Sequence, residues 1–192
     1  FNSNVGIGVI PEAWHSVFKV LQMGTGSSIS AESGGTSTWF NTNAYYDGSW
    51  KYVNANTASQ IAHTSDGKQQ FKVAASGSAD AAISWNTAMT IDNSGNVLVG
   101  KSSTGIATVG AELKPTGELL ATVNSDACAF LNRKTSDGDI AVFRKDGTTV
   151  GSIKADAGSI GIGSGDCGLL FYDAGNRIIP RNGTSTSDNS LD

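Results

Sequence analysis

The sequence predicts an all-β protein of short strands and hairpins, arranged as an elongated fibre with little helix. Two observations predict it: a short motif that occurs three times, and Asp-Gly pairs set between alternating segments. The composition agrees, because only 16% of the residues are charged, against about 25% in an average globular protein. Gly, Ser, Thr and Asn are abundant instead, which is typical of strands and turns.

The repeated motif reads NVGIG at residues 4–8, GNVLVG at residues 95–100 and GSIGIG at residues 158–163. Each copy has two aliphatic residues spaced two apart, followed by a glycine. In a strand this spacing directs both side chains to one face. We therefore expect three short strands, with these pairs on one face each: Val5 and Ile7, Val97 and Val99, Ile160 and Ile162.

Four Asp-Gly pairs predict tight turns, at residues 47–48, 66–67, 137–138 and 146–147. Asp-Gly between alternating segments is a strong hairpin signal, because both residues tolerate positive φ. The first pair closes an aromatic hairpin that runs from Trp39 to Tyr52. Two regions follow from the pattern: residues 1–103, which hold this hairpin, and residues 104–192, a second β-rich region that ends in an extended tail.

Charge and length exclude several classes of protein. Nucleic-acid binding requires a basic surface, and the net charge of the chain is -4. We therefore expect no nucleic-acid partner. No apolar run approaches the ~20 residues that span a bilayer. The chain begins within a copy of the motif and without Met, so we expect it to be a fragment of a longer polypeptide. Its two cysteines, Cys128 and Cys167, fit assembly in a reducing cytosol.

Single strands of this kind bury little apolar area, whereas ordering costs roughly 1–2 kcal/mol per residue in backbone entropy. Lone hairpins are marginal in water. We therefore expect several copies to associate, with their apolar faces meeting around an axis.

Five segments carry a resemblance to bacteriophage tail fibres and tailspikes. They are NVGIGVIPEAWHSVFKVLQMGTGSSIS, NAYYDGSWKYV, AMTIDNSGNVLVGKSS, LNRKTSDGDIAVFRKDGTTVGSI and GSGDCGLLFYDAGNRIIPRNGTSTSDNSLD. Together they cover most of the chain. The last resembles the segment that precedes the C-terminal self-cleaving intramolecular chaperone domain of many fibres. That domain is not in this sequence, so no catalytic residue is carried over from it.

The resemblance implies an elongated homotrimer, built as a β-prism, a β-helix or an intertwined β-sandwich. It implies a place in the virion tail, near the distal end of an appendage, after assembly in the cytoplasm of the bacterial host. The implied partners are two further copies of the chain, other tail proteins, and a glycan or outer-membrane receptor on the bacterial surface.

The sequence points to no enzyme, metal site or cofactor. Glycoside hydrolysis usually needs two carboxylates across a bond, and none of the four glutamates has such a setting. His15 and His63 are far apart, without further ligands nearby. Residues 92–96 resemble the start of a calcium loop, but position twelve is Ser103 instead of a carboxylate, so we predict a β-turn.

The candidate receptor contacts all lie in the aromatic hairpin, where rings and polar groups alternate. They are Trp39, Asn41, Tyr45, Tyr46, Asp47, Trp50 and Tyr52. Strand alternation would put Trp39 and Tyr45 on one face and Phe40 and Tyr46 on the other. Exposed rings beside amides would suit sugars, whereas packing between strands or in a trimer interface would use the same rings structurally. We expect Trp39 or Trp50 to be packed.

The sequence thus predicts a host-recognition and structural segment of a tail fibre. The alternatives are a segment of a glycan-depolymerising tailspike, and a purely structural shaft with recognition elsewhere. Carboxylate pairs in a groove would favour the enzyme, an exposed aromatic patch would favour receptor binding, and buried aromatics would favour the shaft.

Overall fold

The computed structural model describes residues 4–165 and 167–182, apart from the side chain of residue 182. These residues form an all-β structure, as predicted; their one helical element is a 3-10 turn at Asp173–Gly175. No helix among them is long and apolar enough to cross a membrane. The predicted extended tail from Asn182 lies almost wholly outside the described residues.

The chain divides into two compact units between Cys128 and Ala129. We expected a boundary after residue 103. The contacts place residues 104–128 in the first unit instead, because two strands from this segment extend the first sheet.

Residues 4–128 of the first unit form twelve strands. They are β1 (Val5–Ile7), β2 (Phe18–Met23), β3 (Ser27–Glu32), β4 (Thr38–Thr42), β5 (Ala44–Tyr46), β6 (Trp50–Tyr52), β7 (Asn56–His63), β8 (Gln69–Gly77), β9 (Asn86–Ile91), β10 (Val97–Val99), β11 (Gly110–Leu113) and β12 (Leu119–Thr122). Ten of them form one sheet in the order β1-β2-β3-β4-β7-β8-β9-β10-β11-β12, and β5 and β6 form a separate hairpin. Among the strands of the described residues, only β1 and β2 pair in parallel.

The described part of the second unit forms a five-stranded antiparallel meander. Its strands are β13 (Gly138–Lys145), β14 (Thr148–Asp156), β15 (Ser159–Ser164), β16 (Cys167–Tyr172) and β17 (Arg177–Asn182). The three copies of the repeated motif form β1, β10 and β15, as predicted.

Three of the four Asp-Gly pairs make the predicted hairpin turns, between β5 and β6, β7 and β8, and β13 and β14. The fourth does not: Asp137 and Gly138 lead from a loop into β13, and Asp137 Oδ2 instead accepts the Ala157 N–H at 2.8 Å. Residues 92–96 form the predicted turn, in which Asp92 Oδ1 accepts the N–H groups of Ser94 and Asn96 at 2.9 Å each.

The core of the first unit lies on one face of the ten-stranded sheet, beneath the β5–β6 hairpin. Trp14, Phe18, Val20 and Tyr45 form one buried cluster there, and Ala44, Tyr52, Ala58 and Ala74 form a second. Gly77 allows this close approach, because a Cβ at its position would lie 2.3 Å from the Tyr52 ring. We call the face beneath the hairpin the covered face, and the opposite one the open face.

Candidate functional site

The predicted aromatic hairpin is folded back onto the sheet. Asn43 makes the bend with φ of 56°, a left-handed conformation that asparagine tolerates better than most residues. Its side-chain Nδ2 donates to the carbonyl oxygens of Asn54 and Thr57, and its Oδ1 accepts the Asn54 N–H at 2.7 Å. These bonds satisfy the amide that the bend would otherwise leave buried and unpaired.

Trp50 is the centre of an aromatic cluster that the hairpin brings together. Its ring lies 5.4 to 6.3 Å, centroid to centroid, from five other rings: Trp14, Phe18, Trp39, Tyr46 and Trp85. Edge-to-face and tilted arrangements at these distances are the favoured geometries of aromatic pairs. The prediction that Trp39 or Trp50 is packed is confirmed for both.

Two tyrosine hydroxyls fasten the hairpin to the rest of the unit. Tyr45 Oη donates to Asp80 Oδ1 at 2.7 Å, and Tyr52 Oη donates to the carbonyl of Ala75 at 2.5 Å. Burial, followed by the bond to the Asp80 carboxylate, raises the pKa of Tyr45 above its ordinary value. The Tyr45 hydroxyl therefore stays a proton donor at physiological pH.

The covered face also carries a buried polar row beside the rings. Asn41 Nδ2 donates to the hydroxyls of Ser28 and Ser30 at 3.1 and 3.0 Å, and Gln60 Nε2 donates to Asn41 Oδ1 at 2.9 Å. In the same row, Gln22 Oε1 accepts the Trp14 indole N–H at 3.1 Å. Asn41 thereby joins three neighbouring strands through its side chain.

The structure separates the seven predicted contact residues by exposure. Asn41, Tyr45 and Tyr52 are buried, Trp39, Tyr46 and Trp50 are half-buried, and Asp47 is exposed. The predicted face assignment holds for Phe40, which lies on the open face, and is wrong for Tyr46, which packs on the same cluster as Trp39. The reason is the bend at Asn43, which interrupts the strand and its alternation.

The accessible part of the hairpin is its tip, at residues 46–51. Asp47 forms an ion pair with Lys51 at 2.7 Å, which lowers the pKa of the Asp47 carboxyl. His15 packs edge-to-face on the Tyr46 ring at 6.1 Å. A charged pair, an imidazole and the accessible edge of Tyr46 are therefore what this tip offers to a ligand.

The sequence analysis missed a second surface, on the open face of the same sheet. One residue from each strand forms a row in register across it: Val5, Leu21, Ile29, Phe40, Ile61, Phe71, Met89, Val99, Ala111 and Ala121. We call it the apolar row. All ten side chains of the row are uncharged and apolar. Several are nevertheless open to solvent: Phe40 is 45% exposed, Ile61 is 38% exposed and Val99 is 47% exposed.

The second unit repeats this arrangement on one face of its own sheet. Ile160 pairs with Phe171, which in turn pairs with Ile178, and Ile162 pairs with Leu169, which in turn pairs with Pro180. Five of these six side chains, all except Pro180, are 41 to 59% exposed. The signal for these surfaces was present in the sequence, since the motif pairs of β1, β10 and β15 lie on them.

The opposite face of the second sheet forms a shallow groove of about 230 Å³. Lys154, Asp156 and Arg181 line it, with Arg181 Nη1 at 3.5 Å and Lys154 Nζ at 3.8 Å from Asp156 Oδ2. Asp139 also lines it, so that its described lining carries two positive and two negative side chains, and its floor is made mainly of glycine backbone from β14, β15 and β16.

A buried ion pair closes the covered face beyond the hairpin. Lys101 Nζ lies 3.0 Å from Glu112 Oε2, and both side chains are almost completely buried. The same carboxylate oxygen accepts the Gly105 N–H at 2.8 Å, and Lys101 also donates to the Gly105 carbonyl at 2.7 Å. These contacts, the Gly105 N–H first and Lys101 second, lower the pKa of Glu112.

The described residues include no group of three or more His, Cys, Asp or Glu side chains able to hold a metal ion. His63 packs against the Phe40 ring at 6.0 Å. Among the glutamates, Glu112 is held by Lys101, and Glu118 lies 3.4 Å from Lys114.

No protein-family model, curated protein or solved structure matches this chain. Its resemblance to tail fibres therefore stays a prediction, and its function has to be argued from the surfaces described above.

Proposed function

We propose that this chain is a structural and host-recognition segment of a phage tail fibre that works as a homotrimer. The observation that carries the proposal is the open apolar face in each of the two units. Contiguous apolar surface of this extent marks an interaction site. A chain made of such sheets is suited to association with copies of itself, which is what the tail-fibre resemblance implies.

In this proposal attachment depends on avidity. Three copies present three hairpin tips around Tyr46, Asp47 and Trp50 to a glycan or outer-membrane receptor, and several fibres multiply them. Linked weak contacts raise the overall affinity by about 10²–10⁴ over one contact. Other tail proteins hold the fibre in the virion, after its assembly in the host cytoplasm. No reaction and no cofactor is part of the proposal.

A purely structural shaft is the second candidate, and one observation favours it. Tyr45 and Tyr52, at 6% and 5% exposure, have their hydroxyls committed to bonds within the chain. Only the tip of the hairpin then remains for a receptor. The glycan-depolymerase alternative has less support, because the buried Glu112 carboxylate is paired with an ammonium group.

The experiment uses the assembled full chain, labelled with a fluorophore, and whole cells of a panel of Gram-negative strains. Light scattering should report three chains. Binding should occur on some strains and fall when Tyr46 and Asp47 are both replaced by Ala, with Ser94→Ala, in a distant exposed turn, as the control. A trimer that binds no strain would favour the shaft. Release of reducing sugar from the cells would favour the enzyme, and a stable folded monomer would contradict the proposed fibre.

A further inference from the structure

We infer that the open face of the ten-stranded sheet is the surface on which a second copy of this chain packs. The inference rests on the proposed homotrimer and names its interface in the first unit. The apolar row carries it, because the row is continuous: each of the ten strands contributes one apolar side chain, in register with its neighbours.

Further apolar residues widen this surface at both ends of the row. Ile7 and Met23 lie beside it on β1 and β2. On the side of β9 to β12, a flanking row contains Ile91, Val97, Leu113 and Leu119, in which Leu119 is 75% exposed. Leucine and isoleucine in such numbers are unusual on the solvent side of an antiparallel sheet, which normally alternates apolar inside and polar outside.

The area of the face is sufficient for a stable interface. Ten strands about 4.8 Å apart span roughly 43 Å, and three rows two residues apart span about 15 Å with their side chains. The face therefore measures roughly 650 Å², close to the ~800 Å² that each partner contributes to a standard interface.

Charge favours another copy over a different partner. The apolar row holds no charged residue, and the flanking rows carry two ionisable side chains, Lys19 on β2 and His63 on β7. Two such rows can meet without burying unpaired charge, which would be strongly unfavourable. A glycan or a nucleic acid would instead need polar or basic groups on the row, where there are none.

The repeated motif gives independent support from the sequence. The aliphatic pairs of its copies, Val5 with Ile7 and Val97 with Val99, belong to strands far apart in the chain, yet both lie on the open face. The third copy places Ile160 and Ile162 on the apolar face of the second unit. The same aliphatic pair thus occurs on the exposed apolar face of both sheets.

The test combines light scattering with thiol labelling of the full chain. Cys128 and Cys167 are exposed and are first replaced by Ser. Ile61→Cys then places a thiol on the apolar row, and Ile10→Cys places one on a loop where the native side chain is 90% exposed. In the trimer, the thiol at position 61 should react roughly tenfold or more slowly than the one at position 10, because a covered thiol reacts only through opening.

A matched pair of substitutions then probes the assembly itself. Ile61→Asp should convert the trimer to smaller species with the strand content retained by circular dichroism, whereas Ile10→Asp should leave the trimer intact. If Ile61→Asp fails to fold, the labelling result still decides the inference. A trimer whose position 61 labels as fast as position 10 would overturn the inference and leave the proposed fibre standing. A monomer would overturn both, and if position 61 were protected in it, the row would be covered within one chain.

Discussion

The two faces of the ten-stranded sheet distribute polarity in opposite ways. The covered face buries amides and hydroxyls beside aromatic rings, and an ion pair beyond them, whereas the open face presents aliphatic residues to solvent. Within a single chain, therefore, the more apolar face of the sheet is not the one that is buried. The covered face is specified by hydrogen bonds that few other arrangements could satisfy, and the open face is apolar in a way that suits a second molecule.

The largest expected effect comes from Trp50→Ala, which removes the centre of the covered face. Truncation of a packed Trp costs about 3–5 kcal/mol of folding free energy, and Trp50 contacts five rings. Because its side chain is only half-buried, we expect a value near the lower end of this range. Thermal unfolding of the assembled protein checks it, with a clear decrease in Tm.

Ser49→Ala is the matched control for this change, because Ser49 is exposed at the tip next to Trp50. Its Tm should stay at the native value. If Trp50→Ala left Tm unchanged and abolished binding to cells, the ring would be a receptor contact, and the covered face would lose its structural role at this point.

A smaller effect, and one that depends on pH, is expected from Lys101→Met. The native Glu112 pKa lies below its ordinary value of 4.5. Its contribution to stability is therefore complete above the unfolded pKa and is lost as the pH falls through the lowered folded value. Without Lys101 the Glu112 pKa should rise towards its unfolded value, so that Tm decreases at neutral pH and its acid-induced fall becomes smaller than in the native protein, because less stabilisation is left to lose.

Lys114→Met is the control for the ion pair, because Lys114 pairs with the exposed Glu118 at 3.4 Å. Exposed pairs contribute little to stability. Thermal unfolding followed from neutral to acidic pH should therefore give nearly native curves. Equal curves for the two Met variants would mean that the buried pair contributes no more than the exposed one.

The smallest effect is expected from Tyr45→Phe, which keeps the ring and removes its bond to Asp80. Loss of one such hydrogen bond costs about 1 kcal/mol. Denaturant unfolding should show a shift of the midpoint without a change in slope. Tyr46→Phe keeps a half-buried ring in the same hairpin and should not shift the midpoint; an equal shift would show that the Asp80 bond is not the cause.

Local signals in the sequence predicted much of the fold. The three motif strands and three of the four Asp-Gly hairpins depend on neighbouring residues, so periodicity and turn chemistry sufficed. The fourth Asp-Gly pair, at residues 137–138, has the same two residues as the other three, but no strand directly precedes it. Its outcome depended on long-range pairing, which a turn signal does not contain.

The candidate site was predictable only in part, for the same reason. Alternation placed Phe40 correctly but failed at Tyr46, because a single left-handed residue, Asn43, redirects the chain. The burial of Tyr45 depends on Asp80, 35 positions later, and such contacts have no local signature. The apolar row was missed because it emerges only when ten strands come into register, although the repeated motif had marked two of them.

The Asn41 side chain has a further consequence, for the accuracy of strand pairing. A slip of β4 by one residue would put Phe40 beneath the hairpin and expel Asn41 to the open face, so that Ser28, Ser30 and Gln60 would lose their partner. Each buried polar group left unpaired costs about 1–3 kcal/mol, and a mispaired sheet is therefore disfavoured in the single chain. The register of β4 is therefore fixed by contacts within one chain and needs no neighbouring molecule.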